Sequence, residues 1–363
     1  MTTLLEVDDL LRHFVAARSI FGQPRVFVRA VDGVSFKVEA GKTLALVGES
    51  GCGKSTVGRL ILRLIEAQAG TIRFEGRDIA GFNTEELRAY RRHAQIIFQD
   101  PYASLNPRMT IAQTLAEPLA LHGLAEPGQR RQRVDEILRL VGLEPRFAQR
   151  YPHEFSGGQR QRIAIARAIA VEPKLIVCDE PVSALDVSIR SQILNLLRDL
   201  QQKLGLAYIF ISHDLAVVKH VADDVAVMNL GQIVETGPAA ALFEAPRHPY
   251  SRALLSAIPI PQPSRDRTRV VLTGELPSAI NPPDGCRFHT RCPYVIDRCR
   301  SERPQLAADA TGHAAACHRS AELPDFAVAA RGTGTRSATL QRLTAAFTER
   351  SEVRSRQGVH NQG

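Results

Sequence analysis

The octapeptide Gly48-Glu49-Ser50-Gly51-Cys52-Gly53-Lys54-Ser55 follows an apolar run, Thr43 to Val47, and leads into a helical run, Thr56 to Ile65. Glycines at these intervals let the backbone curl so that successive N–H groups point inward, and the positive end of the next helix joins them, so the segment is suited to cradling phosphates. Lys54 is placed to hold the β and γ phosphates of ATP, Ser55 to offer its hydroxyl to Mg2+, and Thr56 to touch the α phosphate. A second constellation, Leu175-Ile176-Val177-Cys178-Asp179-Glu180, ends an apolar strand in two carboxylates. Strand alternation turns them opposite ways, so Asp179 suits Mg2+ through a water and Glu180 is the candidate to polarise an attacking water. Surface acids closing a strand are the plainer alternative. At Ser156-Gly157-Gly158-Gln159 a serine and two glycines open a helix. That arrangement presents N–H groups and a hydroxyl to an anion, or simply caps the helix.

Four of the six cysteines fall at Cys286, Cys292, Cys299 and Cys317, separated by five, six and seventeen residues. Zinc sites usually begin with closer pairs. Four thiolates suit an iron–sulfur cluster of the [4Fe-4S] kind, whose negative charge Arg287, Arg291, Arg298 and Arg300 would offset. Zinc, with His289 or His318 as a ligand, and unligated thiols are the alternatives. Cys52 and Cys178 lie within the phosphate loop and an apolar strand and are left out of this set.

Elements that would carry these residues are legible as short apolar runs rich in branched side chains: Thr43 to Val47, Ile96 to Phe98, Leu175 to Cys178 and Ala207 to Ile211. Each reads as a buried strand. Helical patterns separate most of them, as in Ser188 to Leu204, where Ile189, Ile193, Leu196, Leu197, Leu200 and Leu204 recur at helical spacing. The expected fold class is therefore α/β, a largely parallel sheet covered by helices, with ligands gathering beyond the carboxyl ends of the strands. Thr110 to Ala170 offers helical periods without a strand and reads as an inserted helical subdomain. After Gly237 the chain turns rich in proline, which predicts a core at 1–237, an extension at 238–319 and a mobile tail at 320–363.

At 363 residues, 44% apolar and 23% charged, the chain is long enough for a core domain and an appendage. No apolar run approaches the roughly 20 residues of a bilayer span, and Met1 to Leu10 is acidic rather than signal-like. A cytoplasmic chain is expected, with any membrane role exercised through partners. The net charge of +8 discriminates little between nucleic acid, acidic lipid and nucleotide.

Taken together the motifs resemble those of the nucleotide-binding subunit of an ABC transporter, a P-loop NTPase fold, over most of Leu4 to Gly237. Phe155 to Gln159 is similar to the family signature, Gln99 to its Q-loop, Ser183-Ala184-Leu185-Asp186 to its D-loop, and His213 to its switch histidine, all in family order. The resemblance implies that two such domains meet head to tail, the signature of one completing the ATP site of the other. It also implies that His213 contacts the γ phosphate beside Glu180, that Gln99 joins Mg2+ to the segment touching membrane subunits, and that Phe14 stacks on adenine. Gln99 to Pro107, with Tyr102-Ala103-Ser104, is similar to the second of the paired ATPases of oligopeptide, dipeptide and nickel importers. His248-Pro249-Tyr250 matches the start of that subgroup's C-terminal extension, and the subgroup also implies a cluster at the four cysteines.

Implied partners are a paralogous ATPase in a heterodimer, two permeases and an extracytoplasmic binding protein, with the chain peripheral on the cytoplasmic face of the membrane. Glutathione, nickel chelates and oligosaccharides are alternative cargoes to peptides. An ABC ATPase acting on DNA is the alternative of another class. Only about a hundred residues separate Lys54 from Ser156, without the long coiled-coil or zinc insertion of such proteins, so no nucleic-acid partner is expected.

Overall fold

The computed structural model describes residues 2–18, 24–258 and 277–326. Two sixteen-residue strands, β1 (Thr3–Arg18) and β2 (Pro24–Glu39), open the chain and pair antiparallel, with several register shifts. With β4 (Ala69–Phe74) and β5 (Arg77–Asp78) they form a four-stranded antiparallel sheet in the order β2-β1-β4-β5. Leu5, Val7, Leu10, Val31 and Val34 are buried in the core this sheet shares with the strands that follow.

A second, eight-stranded sheet carries the site. Its centre is parallel: β3 (Thr43–Val47), β6 (Ala94–Ile97), β7 (Leu175–Asp179), β8 (Ala207–Ser212) and β9 (Asp224–Asn229), in the order β9-β3-β8-β7-β6. Every residue of β3, β7 and β8 is buried, as strands covered on both faces must be. The register sets Val47 opposite Ser212 and Asp179 opposite Ile211, so the segments after β3, β7 and β8 leave the sheet at one edge. Antiparallel β10 (Gln232–Pro238) joins β9 through a turn in which Leu230 and Gly231 both have positive φ, the conformation a two-residue hairpin requires. Two short strands of the C-terminal region, β11 (Ala307–Ala308) and β12 (Ala314–Ala315), extend the sheet in the order β11-β12-β10.

Between β6 and β7 the chain is helical, with helices Ile111–Leu121, Arg130–Leu140 and Gly157–Ile169 packed through Ile111, Leu115, Leu119, Val134, Ile137 and Leu138. Capping boxes start two of them: Thr110 with Gln113, and Ser156 with Gln159. Met1–Pro259 and Arg269–Pro324 form one compact unit. Of the other unit, Ile260–Thr268 with Asp325–Gly363, only Asp325 and Phe326 are described. Beyond Phe326 the expected tail lies outside the described residues.

Candidate nucleotide-binding site

The loop between β3 and helix Lys54–Ile61 depends on glycine at two points. Gly48 has φ +149°, and a Cβ there would lie 2.2 Å from the Met228 carbonyl oxygen. Gly53 has φ +110°, and its Cβ would lie 2.0 Å from the Ala30 carbonyl oxygen. Lys54 is buried and its Nζ donates to the carbonyls of Gly48 at 2.8 Å and Glu49 at 2.9 Å. Cys52 packs beneath it as a neutral thiol, its pKa pushed up by burial. No side chain caps the helix N-terminus, whose positive end stays available to an anion. Ser55 Oγ donates to Asp179 Oδ1 at 2.8 Å. Burial pushes the Asp179 carboxyl up, and the charge of Glu180 adds to this, against the Ser55 hydrogen bond and the charges of Arg59 and Lys54.

Directly after β7, Glu180 adopts φ +48° and donates its N–H to the Ile211 carbonyl at 3.0 Å. Both its carboxylate oxygens are engaged. Gln99 Nε2 donates to Oε2 at 2.8 Å from the end of β6, and His213 Nδ1 lies 3.0 Å from Oε1 at the end of β8. The carboxyl ends of three adjacent strands thus converge on one carboxylate, beside the Ser55–Asp179 pair.

Ser156 accepts the Gln159 N–H at 3.3 Å, and the Gln159 side chain accepts the Ser156 N–H at 3.0 Å. Gly158 is glycine for a packing reason, since a Cβ would lie 2.5 Å from Ile189 Cγ2 in helix Val187–Leu204. Asp186 is the N-cap residue of that helix without a side-chain capping bond. Among the described residues, no hydrogen bond or ion pair joins Ser156–Gln159 to Gly48–Ser55. Phe14 lies on β1 opposite Val28, half-buried, with the Arg12 guanidinium 5.0 Å from its ring centre. Arg160 covers the Tyr102 ring at 4.5 Å, tying the Pro101–Ser104 turn to the helical region.

Sequence reasoning missed one set of contacts to the loop. The Tyr250 hydroxyl accepts the Glu49 N–H at 2.8 Å, and Arg291 grips the Glu49 carboxylate with two bonds, at 2.7 and 2.9 Å. Both come from the proline-rich C-terminal region. Tyr250 is fixed by helix Pro249–Ser256, whose first turn is capped by His248 Nδ1 accepting the Tyr250 N–H at 3.0 Å. His248 is held in turn by Glu235 of β10, which is wholly buried and accepts the N–H groups of Arg247 at 2.7 Å and His248 at 2.9 Å, with His313 Nε2 at 2.7 Å. Burial lowers the His248 pKa to about 4, although the Glu235 charge opposes this. His248-Pro249-Tyr250 was the available signal, but it gave no hint of its partner.

The sequence model of the ABC transporter family matches residues 31–183, and that of the oligopeptide/dipeptide transporter C-terminal region matches residues 234–299. Over 315 residues the chain is 55% identical to the probable peptide ABC transporter ATP-binding protein y4tS of Sinorhizobium fredii, covering 87% of this chain and 89% of that one. Over 306 residues it is 54% identical to the di/tripeptide transport ATP-binding protein DppF of Pseudomonas aeruginosa, covering 84% and 94%. The chain belongs to the ABC transporter ATP-binding proteins of the oligopeptide/dipeptide type. A dimeric, post-hydrolysis ATP-binding cassette, MJ0796 bound to ADP and Pi, is similar in fold, with a TM-score of 0.58 and 27% identity over 65% of this chain and 99% of that one. As an ABC ATPase the protein binds and hydrolyses ATP. Among its described residues no helix is long and apolar enough to cross a membrane.

For this ABC ATPase the iron–sulfur expectation needs correcting. Cys286, Cys292, Cys299 and Cys317 do line a common cavity with His289 and His318, but its volume is about 10 Å³, scarcely room for one water. Among the described residues no group of three or more His, Cys, Asp or Glu side chains has the arrangement of a metal site. These cysteines line the cavity together with Phe288, and the same geometry gives the zinc alternative no support.

Proposed function

We propose that this ABC ATPase energises the import of dipeptides or oligopeptides, with Glu180 as the group that activates water for attack on the γ phosphate. The observation that carries the site assignment is Glu180 held between Gln99 and His213, beside Ser55 and Asp179. A carboxylate fixed at both oxygens is oriented before substrate arrives, as a general base should be. In this reading Lys54 exchanges its bonds to the loop's own carbonyls for the β and γ phosphates. Backbone N–H groups of Ser50, Gly51, Cys52 and Gly53 line the cradle, the Glu49 N–H being held by the Tyr250 hydroxyl at its entrance, and Thr56 touches the α phosphate. The hydroxyl and carboxylate of Ser55 and Asp179 are hard oxygen donors that fit Mg2+, with Gln99 reaching the same ion. When bound, Mg2+ offsets the charge of the β and γ phosphates. His213 orients Glu180 and senses the γ phosphate, and Phe14 stacks on adenine.

Peptide cargo is supported by the match to the oligopeptide/dipeptide transporter C-terminal region and by relatives named for dipeptide and oligopeptide transport. Permease partners and a substrate-binding protein follow from that family. Further to this, we place the chain at the cytoplasmic face of the membrane, in a heterodimer with a paralogous ATPase. There Ser156, Gly157, Gly158 and Gln159 close the partner's site and Asp186 lies at the dimer seam. The division into a core at 1–237 and an extension at 238–319 belongs to the same proposal.

Glu180→Gln keeps the shape and both neighbours while removing the basic oxygen. It is expected to leave ATP binding intact and to lower turnover by about two to four orders of magnitude. Single-turnover ATP hydrolysis by the full chain assembled with its partner ATPase and permeases, alongside ATP affinity, measures both. Wild-type turnover in this variant would refute Glu180 as the base.

A further inference from the structure

An acid in the loop that receives a triphosphate works against its ligand. Glu49 is such an acid, the second residue of the octapeptide, and its carboxylate meets the paired N–H groups of Arg291 at 2.7 and 2.9 Å. The Arg291 side chain is only 8% exposed, so this is a sheltered fork rather than a surface pair. Three atoms groups of Glu49 are held at once: its carboxylate by Arg291, its N–H by the Tyr250 hydroxyl, and its carbonyl by Lys54 Nζ. Two of those three partners belong to the C-terminal region. Each is anchored independently of the loop: Tyr250 by the His248 cap and the Phe288 ring 5.3 Å away, and Arg291 within the turn His289–Arg291.

We propose that Arg291 and Tyr250 are positioning residues of the phosphate loop: acting through Glu49, they neutralise the loop's own acid and fix its first peptide, so that the C-terminal region sets ATP affinity. The inference rests on reading Gly48 to Ser55 as the triphosphate cradle. Without Arg291 the Glu49 charge stands uncompensated beside the phosphates. Without Tyr250 the Glu49 N–H loses its acceptor and the start of the loop loses its fixed direction.

Equilibrium ATP binding by the full chain, with Mg2+ and with thermal unfolding as a check on folding, tests this in a set of variants. Arg291→Gln retains the stem and loses the charge, and should weaken ATP about tenfold, the scale of one uncompensated charge acting at about 10 Å in a partly shielded site. ADP, with less charge, should lose less. Arg291→Lys should recover part of the affinity. The decisive variant is Glu49→Gln combined with Arg291→Gln, which removes both charges and should bind within about twofold of wild type, a recovery that a packing role for Arg291 would not produce. Wild-type affinity in Arg291→Gln, or a double variant as weak as the single one, would overturn the proposal. Lys54→Ala serves as the independent control: wild-type affinity there would overturn the cradle reading itself, whereas lost affinity there with Arg291→Gln unaffected would overturn only the role of Arg291.

Discussion

Replacing His248 by Asn removes a buried imidazole while keeping an acceptor for the Tyr250 N–H that His248 Nδ1 now satisfies at 3.0 Å. His248 is 1% exposed, and burial holds it at about 4 in the folded protein against an ordinary 6.5. Its charged neighbour, Glu235, favours the protonated form but is outweighed by desolvation. Above pH 6.5 neither the folded nor the unfolded chain protonates this ring, so it adds no pH dependence. Between 6.5 and about 4 the unfolded chain takes up a proton that the folded chain refuses, and stability falls as pH falls. At pH 5 the loss relative to pH 8 is about 2 kcal/mol, from 1.36 kcal/mol per pH unit over the interval down from 6.5. Urea unfolding of the full chain at pH 5 and pH 8 reads it directly, and His248→Asn should shrink the difference between the two pH values by that amount. Equal pH differences in wild type and variant would refute the assignment of a neutral, desolvated His248.

Two further outcomes follow from the site. Gly53→Ala puts a Cβ 2.0 Å from the Ala30 carbonyl oxygen at φ +110°, so it should cost about 2 kcal/mol or more of stability and abolish ATP binding, as thermal unfolding and nucleotide titration would show. Ser156→Ala removes the cap on the Gln159 N–H and should cost about 1 kcal/mol of stability. Its effect on ATP turnover should be far larger than on stability if the hydroxyl also serves a partner's site, and a parallel loss in both would reduce Ser156 to a cap.

Sequence legibility followed burial. The runs at Thr43 to Val47, Leu175 to Cys178 and Ala207 to Ile211 were readable because strands covered on both faces are continuously apolar, and β3, β7 and β8 are buried throughout. β1 and β2 were not readable. Their register shifts break the alternation, and polar residues such as Arg12 and His13 sit within it. The β9–β10 hairpin was missed although Leu230-Gly231 is its turn. Around the loop, motif spacing named Ser55, Asp179, Gln99, Glu180 and His213, and strand register is what brings them together. No local pattern announces the pairing of Glu49 with Arg291, since the two lie 242 positions apart. With the cysteines, spacing was legible and packing was not: whether four side chains converge as a metal site is a tertiary property.

The place of Glu235 in β10 bears on how far this protein can be taken apart. Its carboxylate is wholly buried, and its three partners, Arg247, His248 and His313, all lie beyond the end of the strand. Glu235 and Thr236 are meanwhile paired with β12, which is paired in turn with β11. A chain ending at Pro238 would take all three partners from Glu235 and unpair Glu235 and Thr236 from β12. β10 and the region that follows it therefore share one buried polar cluster and fold as parts of the same compact unit.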